Sequence, residues 1–176
     1  VDQRLGQSTT LCGRLVARHM AGAVNDCLTG VYDHTGQAII YGDTDSVYFS
    51  AYPVFKEQIE SGELQWSRDK IIELYDAISE QVNGTFPAFM NQAFNCPASQ
   101  GEIIKAGREV VASKGIYMTK KRYAVLIYDK EGKRKDKDGS TGELKAMGLD
   151  MKRADTPEFM QRFLEEALTM TLEGRT

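Results

Sequence analysis

No apolar run in these 176 residues approaches the roughly 20 needed to cross a bilayer as a helix. Cysteine is scarce: Cys12, Cys27 and Cys96 form an odd, widely spaced trio without a CxxC pair. That spacing argues against both a disulfide framework and a zinc site, and fits reduced thiols in a cytosolic setting. The three read as helix packing residues rather than nucleophiles. The two histidines, His19 and His34, have no partner at ligand spacing and read as structural or exposed. The opening Val1-Asp2-Gln3-Arg4 has neither an initiator Met nor the basic-then-apolar pattern of a secretion signal. There is no excess of positive charge either. The net charge is −3, so any nucleic-acid binding must come from a local patch. What remains is ordinary globular composition, 41% hydrophobic and 27% charged, in a length that suits one domain with a real core. No internal repeat appears, and no low-complexity segment beyond one charged loop.

The most informative stretch is Tyr41-Gly42-Asp43-Thr44-Asp45-Ser46-Val47-Tyr48-Phe49. Apolar Ala38-Ile39-Ile40 precedes it, and Val47 and Phe49 alternate after it. An apolar strand, a short Gly/Asp/Thr break and a second apolar strand predict a tight β-hairpin. At its tip Asp43 and Asp45 are held near solvent on a rigid sheet. Hard cations such as Mg²⁺ take oxygen ligands from one or two carboxylates and leave the other positions to water and substrate phosphates. A bare Asp-x-Asp is ordinarily just a pair of turn residues. The flanking YG and SVYF make the signal stronger.

Around the hairpin, residues 9–29 predict a helix. Leu11, Leu15, Met20, Val24 and Leu28 recur at helical spacing, Thr9 or Thr10 caps the start and Gly30 stops it. That helix should pack against the back of the hairpin, with Arg14 and Arg18 on its solvated side. Asp33 to Gly36 reads as a turn before the strand. Pro53 forbids a central strand after the hairpin, and 54–66 is of mixed character. From Ser67 a second helix is expected, with Ile71, Ile72, Leu74, Tyr75, Ile78 and Val82 on its apolar side. Gly84 and Pro87 should bend or interrupt it, and Phe86, Phe89, Met90 and Phe94 continue as core.

Residues 102–117 predict a strand in which Arg108-Glu109 interrupts an apolar-leaning run. A strongly alternating strand follows over 117–129. Period two would put Lys121, Tyr123, Val125 and Ile127 on one face, and Lys120, Arg122, Ala124 and Leu126 on the other. Cations beside an aromatic suit a phosphate backbone with a flat sugar or base edge. Residues 129–142 read as a long mobile hairpin loop of mixed charge and an insertion point, not a DNA-binding arm. Residues 143–149 return as a strand. Thr156 as N-cap and Pro157 at the first helical position open a last helix. Its apolar side holds Phe159, Phe163, Leu164, Ala167, Leu168 and Met170.

Two of these stretches carry a resemblance. Tyr41 to Ser46, YGDTDS, resembles motif C of the B-family DNA polymerases, the replicative type of phages, archaea and eukaryotes. Lys120 to Tyr123 resembles that family's KKRY primer-binding motif. Met147-Gly148-Leu149, followed by Lys152-Arg153 and Thr156-Pro157, resembles the exit from palm into thumb. The landmarks are most similar to those of tailed-phage polymerases. The resemblance covers nearly the whole chain, while the chain covers only part of such an enzyme.

The resemblance implies an α+β fold, an antiparallel palm sheet with a metal-binding β-hairpin and helices packed on one face. The other face would lie open to DNA and nucleotide. Residues 1–149 would be the C-terminal part of the palm and 150–176 the start of a thumb helix. The implied reaction is template-directed DNA synthesis with two Mg²⁺ ions, for which Mn²⁺ could substitute. The primer 3′-hydroxyl attacks the α-phosphate of a deoxynucleoside triphosphate and pyrophosphate leaves.

By the same resemblance Asp45 matches the metal-bridging carboxylate and Asp43 its weaker partner, and Glu109 lies near the metal site. Gly42, Thr44 and Ser46 shape the turn. Lys121 and Tyr123 track the primer terminus, supported by Lys120 and Arg122. The partners implied are primer–template DNA and deoxynucleoside triphosphates, with a sliding clamp for the intact enzyme, in the cytoplasm of a bacterial host. The family's DxxSLYPS and KxxxNSxYG motifs are absent, as are recognisable exonuclease carboxylates. A truncated chain, inactive alone, is the expectation. Two rivals stand beside this one. The first is a glycosyltransferase whose Asp-x-Asp holds a metal and a nucleotide-sugar diphosphate. The second is a non-catalytic nucleic-acid-binding module that uses KKRY alone.

Overall fold

A computed structural model describes residues 2–137, 140–149, 151 and 153–175. Asp150 and Lys152, at the expected palm–thumb boundary, lie outside the described residues, as do Asp138 and Gly139 of the charged loop. The architecture is α+β with antiparallel sheets, as the motifs imply. The chain forms two compact units, Val1–Gly107 and Arg108–Thr176.

In the first unit helix α1 spans Gln3–Thr29 and starts earlier than expected. The Asp2 carboxylate accepts the Arg4 N–H at 2.9 Å and caps it. Thr9 and Thr10 are therefore inside the helix, where their hydroxyls donate to the Leu5 and Gly6 carbonyls. The stop is as predicted, because Gly30 takes the left-handed conformation (φ 73°). Leu11 and Leu15 remain exposed, so the helix is buried only along its second half, where Ala23, Val24 and Leu28 join the core. Ile39 and Phe49 of the hairpin strands pack against that same core.

The hairpin is a sheet of its own: β1, Ile39–Asp43, pairs antiparallel with β2, Ser46–Phe49. Pro53 then opens helix α2, Tyr52–Glu60, where its missing N–H costs nothing. Ser67 caps α3, Arg68–Phe94, by accepting the Lys70 N–H. Gly84 and Pro87 do not interrupt α3, which runs on through both. Its buried residues, Ile78, Val82 and Phe86, lie on the stretch before the proline and anchor the helix in the core up to it. Gly101 of the short α4, Ala98–Gly101, packs directly on Pro87; a Cβ there would stand 2.9 Å from the proline Cα.

The strand expected from residue 102 begins only at Val110. Ala106 donates its N–H to Asn83 Oδ1 (2.6 Å), and its carbonyl accepts from Ser79 Oγ and Asn83 Nδ2 (both 2.9 Å). Side chains of α3 thus satisfy the backbone groups that a ladder would have used.

The second unit is built on β4, Arg122–Lys130, which pairs with β3, Val110–Thr119, along one edge. Its other edge takes β6, Glu143–Met147, and then the two-residue β5, Lys133–Arg134. Within the charged stretch β5 folds straight back on β4, in a short hairpin turned at Glu131-Gly132. Helix α5, Glu158–Glu173, starts one residue later than expected, with Pro157 at the cap position and no side-chain cap. Leu164, Leu168 and Leu172 pack against Ala124 and Leu126 of β4. Phe159 and Phe163, expected on that apolar side, point out and are exposed.

Candidate functional site: an acidic hairpin tip and a dibasic turn

The two acidic residues occupy the tip of the first unit's hairpin. Asp43 pairs with Ser46 across the ladder, leaving Thr44-Asp45 as a two-residue turn. The left-handed residue is Thr44 (φ 50°), so the turn does not depend on Gly42, which sits inside β1 with ordinary room around it. Ser46 Oγ donates to the Asp43 carbonyl at 3.1 Å and closes the turn. Thr44 Oγ1 donates to Asp43 Oδ1, also at 3.1 Å, and steers that carboxylate. Asp43 is half-buried while Asp45 is exposed. Behind them the Tyr41 and Tyr48 rings meet across the strands at 5.9 Å and stiffen the stem.

The stem is anchored from α1. Asn25 is buried, and its Oδ1 accepts the N–H of Ala38, the residue before β1, at 3.1 Å. Its Nδ2 donates to the Val31 carbonyl (2.8 Å) and to Thr29 Oγ1 (3.0 Å). Nothing in the sequence pattern marks Asn25, since an Asn in a helix ordinarily faces water. Close by, His19 is structural, as expected, and its tautomer follows from its neighbours. Thr85 Oγ1 donates to the Val82 carbonyl (2.7 Å), so it accepts from His19 Nε2–H (2.8 Å). Nδ1 then accepts the Tyr32 hydroxyl at 2.8 Å, and the Phe89 ring stacks on the imidazole at 3.9 Å. Burial pushes the His19 pKa below its usual range.

In the second unit Lys120 and Lys121 are not part of a continuous strand. They form the two-residue turn between Thr119 of β3 and Arg122 of β4, with Lys121 left-handed (φ 60°). The face assignment that grouped Lys121 with Tyr123 is thereby overturned. The alternation of the sequence runs straight through a turn that contains no glycine or asparagine. Lys120, Lys121 and Arg122 are exposed, whereas Tyr123 is 3% exposed. Tyr123 supports the turn from beneath, its ring stacked on Tyr117 at 5.7 Å. Burial, and secondarily the neighbouring Tyr123, push the Tyr117 pKa up. β4 is buried from Tyr123 to Asp129, so neither of its faces is the open one that was expected.

Arg108 and Glu109 enter this unit differently from each other. Arg108 is largely buried and pairs with buried Asp129 at 2.5 Å. Glu109 is exposed, and its carboxylate pairs with Lys145 at 2.9 Å. Among the described residues no group of three or more His, Cys, Asp and Glu side chains is gathered to hold a metal. Asp43 and Asp45 offer the one or two carboxylate oxygens that Mg²⁺ takes from a protein. The donor set fits the ion. No described helix is long and apolar enough to cross a membrane, and the three cysteines are free thiols.

Comparison with known proteins meets this geometry. No family profile matches the chain. Over 98% of its length, however, it is 26% identical to a DNA-directed DNA polymerase of Escherichia phage RB69. It is 28% identical, over the same share, to a DNA-directed DNA polymerase of Enterobacteria phage T4. The chain is thus similar to phage DNA polymerases. The chain spans 20% of the length of each of these two relatives.

Proposed function

We propose that this chain is the part of a replicative DNA polymerase that carries its metal hairpin and its primer-binding turn. The intact enzyme would perform template-directed DNA synthesis, using primer–template DNA and deoxynucleoside triphosphates in the cytoplasm of a phage-infected bacterium. The observation that carries this reading is the tip of β1–β2. Two carboxylates stand one residue apart on a rigid turn, in a chain similar along almost its whole length to phage polymerases.

Bound at that tip, Mg²⁺ would supply charge stabilisation at the transferring phosphoryl group. The chain's own contribution is to hold the carboxylates. Asp45, exposed at the turn, is the principal ligand. Asp43, half-buried and hydrogen-bonded by Thr44, is the weaker one. Glu109, in the second unit, is neutralised by Lys145. Lys120 and Lys121 offer cations to the primer backbone, and Arg122 and Tyr123 hold the turn that presents them. Residues 1–149 belong to the palm in this reading, and 150–176 begin the thumb. A sliding clamp is a partner of the whole enzyme rather than of these residues.

The test separates the dibasic turn from the charged stretch that follows β4. Lys135 is already paired with Glu143 at 3.0 Å. In the full-length enzyme, Lys121→Ala should weaken primer–template binding whatever the sequence. It should also reduce the salt dependence of binding by a slope of roughly 0.9, one phosphate contact on duplex DNA. Lys135→Ala should change neither. Silence at Lys121 with a clear effect at Lys135 would show that the DNA contact lies elsewhere.

A further inference from the structure

The dibasic turn is not a free hairpin end. Just past β6, where Met147 pairs with Tyr123, the chain turns at Gly148 with φ 64°. A Cβ on Gly148 would be driven into the Lys121 carbonyl oxygen and would also reach Arg122 Cγ at 3.1 Å. The Gly148 carbonyl in turn accepts the Arg122 Nε–H at 3.1 Å. The backbone at 148 is thus pressed against the turn on one side and tied to it by a hydrogen bond on the other. Lys121 itself is left-handed, a conformation that is costly for a non-glycine residue and persists only where its surroundings hold it.

We infer that Gly148 and Arg122 are positioning residues: together they fix the left-handed Lys120-Lys121 turn so that its ammonium groups are presented in one place. The assignment rests on the primer-binding reading of that turn. It gives Arg122 a different task from the lysines, since its Nε already points at protein. It also explains why Gly148 is a glycine, because both its φ and the space beside it exclude a side chain. Gly142, before the other end of β6, is built alike. Its φ is 140° and a Cβ would stand 2.5 Å from the Ile127 carbonyl oxygen, yet it lies far along β4 from the lysines. It provides the control for a merely structural effect.

The experiment is a double-mutant cycle in the full-length enzyme, read as primer–template affinity across a salt series and as the split between kcat and the KM for DNA. Gly148→Ala should raise the KM for DNA, leave kcat at saturating DNA nearly unchanged, and flatten the salt slope by at least the roughly 0.9 expected for Lys121→Ala. In the Gly148→Ala background, Lys121→Ala should then cause no further loss. Gly142→Ala should lower the melting temperature but leave the salt slope intact.

Additive effects of Gly148→Ala and Lys121→Ala would overturn the assignment, as would an equal flattening by Gly142→Ala. Should Gly148→Ala not fold, Arg122→Met takes its place in the cycle. There Lys121→Ala must lose at least half of its effect, and full additivity would again overturn the proposal. If Lys121→Ala itself leaves wild-type DNA binding unaltered, the primer-binding reading fails and this assignment falls with it. If only Gly148 and Arg122 prove silent, that reading stands and the assignment alone is wrong.

Discussion

Replacing Asn25 with alanine removes three hydrogen bonds, and they are not of equal weight. Val31 is 58% exposed, so its carbonyl can take water in place of the Asn25 amide. Thr29 Oγ1 keeps its own bond to the Asn25 main-chain carbonyl at 2.8 Å. Ala38 is different. It is 0% exposed, and Asn25 Oδ1 accepts its N–H, so the substitution strands a buried donor. Such a loss costs about 1–3 kcal/mol. Gly36 is packed tightly against the Asn25 amide, and the void left there adds a cavity term, bringing the total to about 2–4 kcal/mol. At about 4–8 °C per kcal/mol for a domain of this size, the first unit should melt roughly 8–32 °C lower.

Thermal unfolding followed by circular dichroism measures this directly. Thr29→Ala is the companion variant, because it deletes only bonds at a half-exposed position and should cost under about 1 kcal/mol. A loss below about 1 kcal/mol for Asn25→Ala would refute the reasoning. So would an equal loss for Thr29→Ala, since the Ala38 bond would then not be what holds the approach to β1.

Two further outcomes follow from buried charge. Arg108→Met strands the Asp129 carboxylate and should destabilise the second unit by about 3–5 kcal/mol. Adding Asp129→Asn, which can still accept the Gly132 N–H now held at 3.1 Å, should recover most of that in urea unfolding. Simple addition of the two losses would contradict it. His19 has its pKa lowered in the folded chain, so the unfolded state binds more protons as pH falls through about 6.5. The stability contributed by the neutral imidazole is therefore present above that pH and lost below it. His19→Gln should flatten the fall in unfolding midpoint between about pH 7 and pH 5, and an unaltered pH profile would sink the idea.

The parts of the fold that could be foreseen are those written locally. The hairpin follows from strand–break–strand over a few residues, the start of α3 from the Ser67 hydroxyl, and the end of α1 from Gly30. Several of the misreadings have a distant partner. The Lys120-Lys121 turn is hidden because the residue that makes room for it, Gly148, lies beyond another hairpin. The stretch before Val110 reads as strand until Asn83 and Ser79, on a helix, take up the backbone groups of Ala106. Pro87 looks like a helix breaker until the buried face around Phe86 outweighs it. Arg108 looks like a surface cation because its partner Asp129 is on another strand. The hairpin that carries the acidic pair was therefore legible, whereas the way the lysines are presented was not.

Single-turnover nucleotide incorporation by the full-length enzyme carrying Asp45→Ala, set beside Asp43→Ala, tests the central claim most directly. A carboxylate that holds the catalytic ion supports several kcal/mol of transition-state stabilisation, or about 10³-fold or more in rate. Asp45→Ala should lose at least that much while primer–template binding, measured by gel shift, stays close to wild type. Asp43→Ala, at the half-buried and hydrogen-bonded position, should lose less. Incorporation by Asp45→Ala within a few-fold of wild type, or a greater loss for Asp43→Ala, would contradict the account.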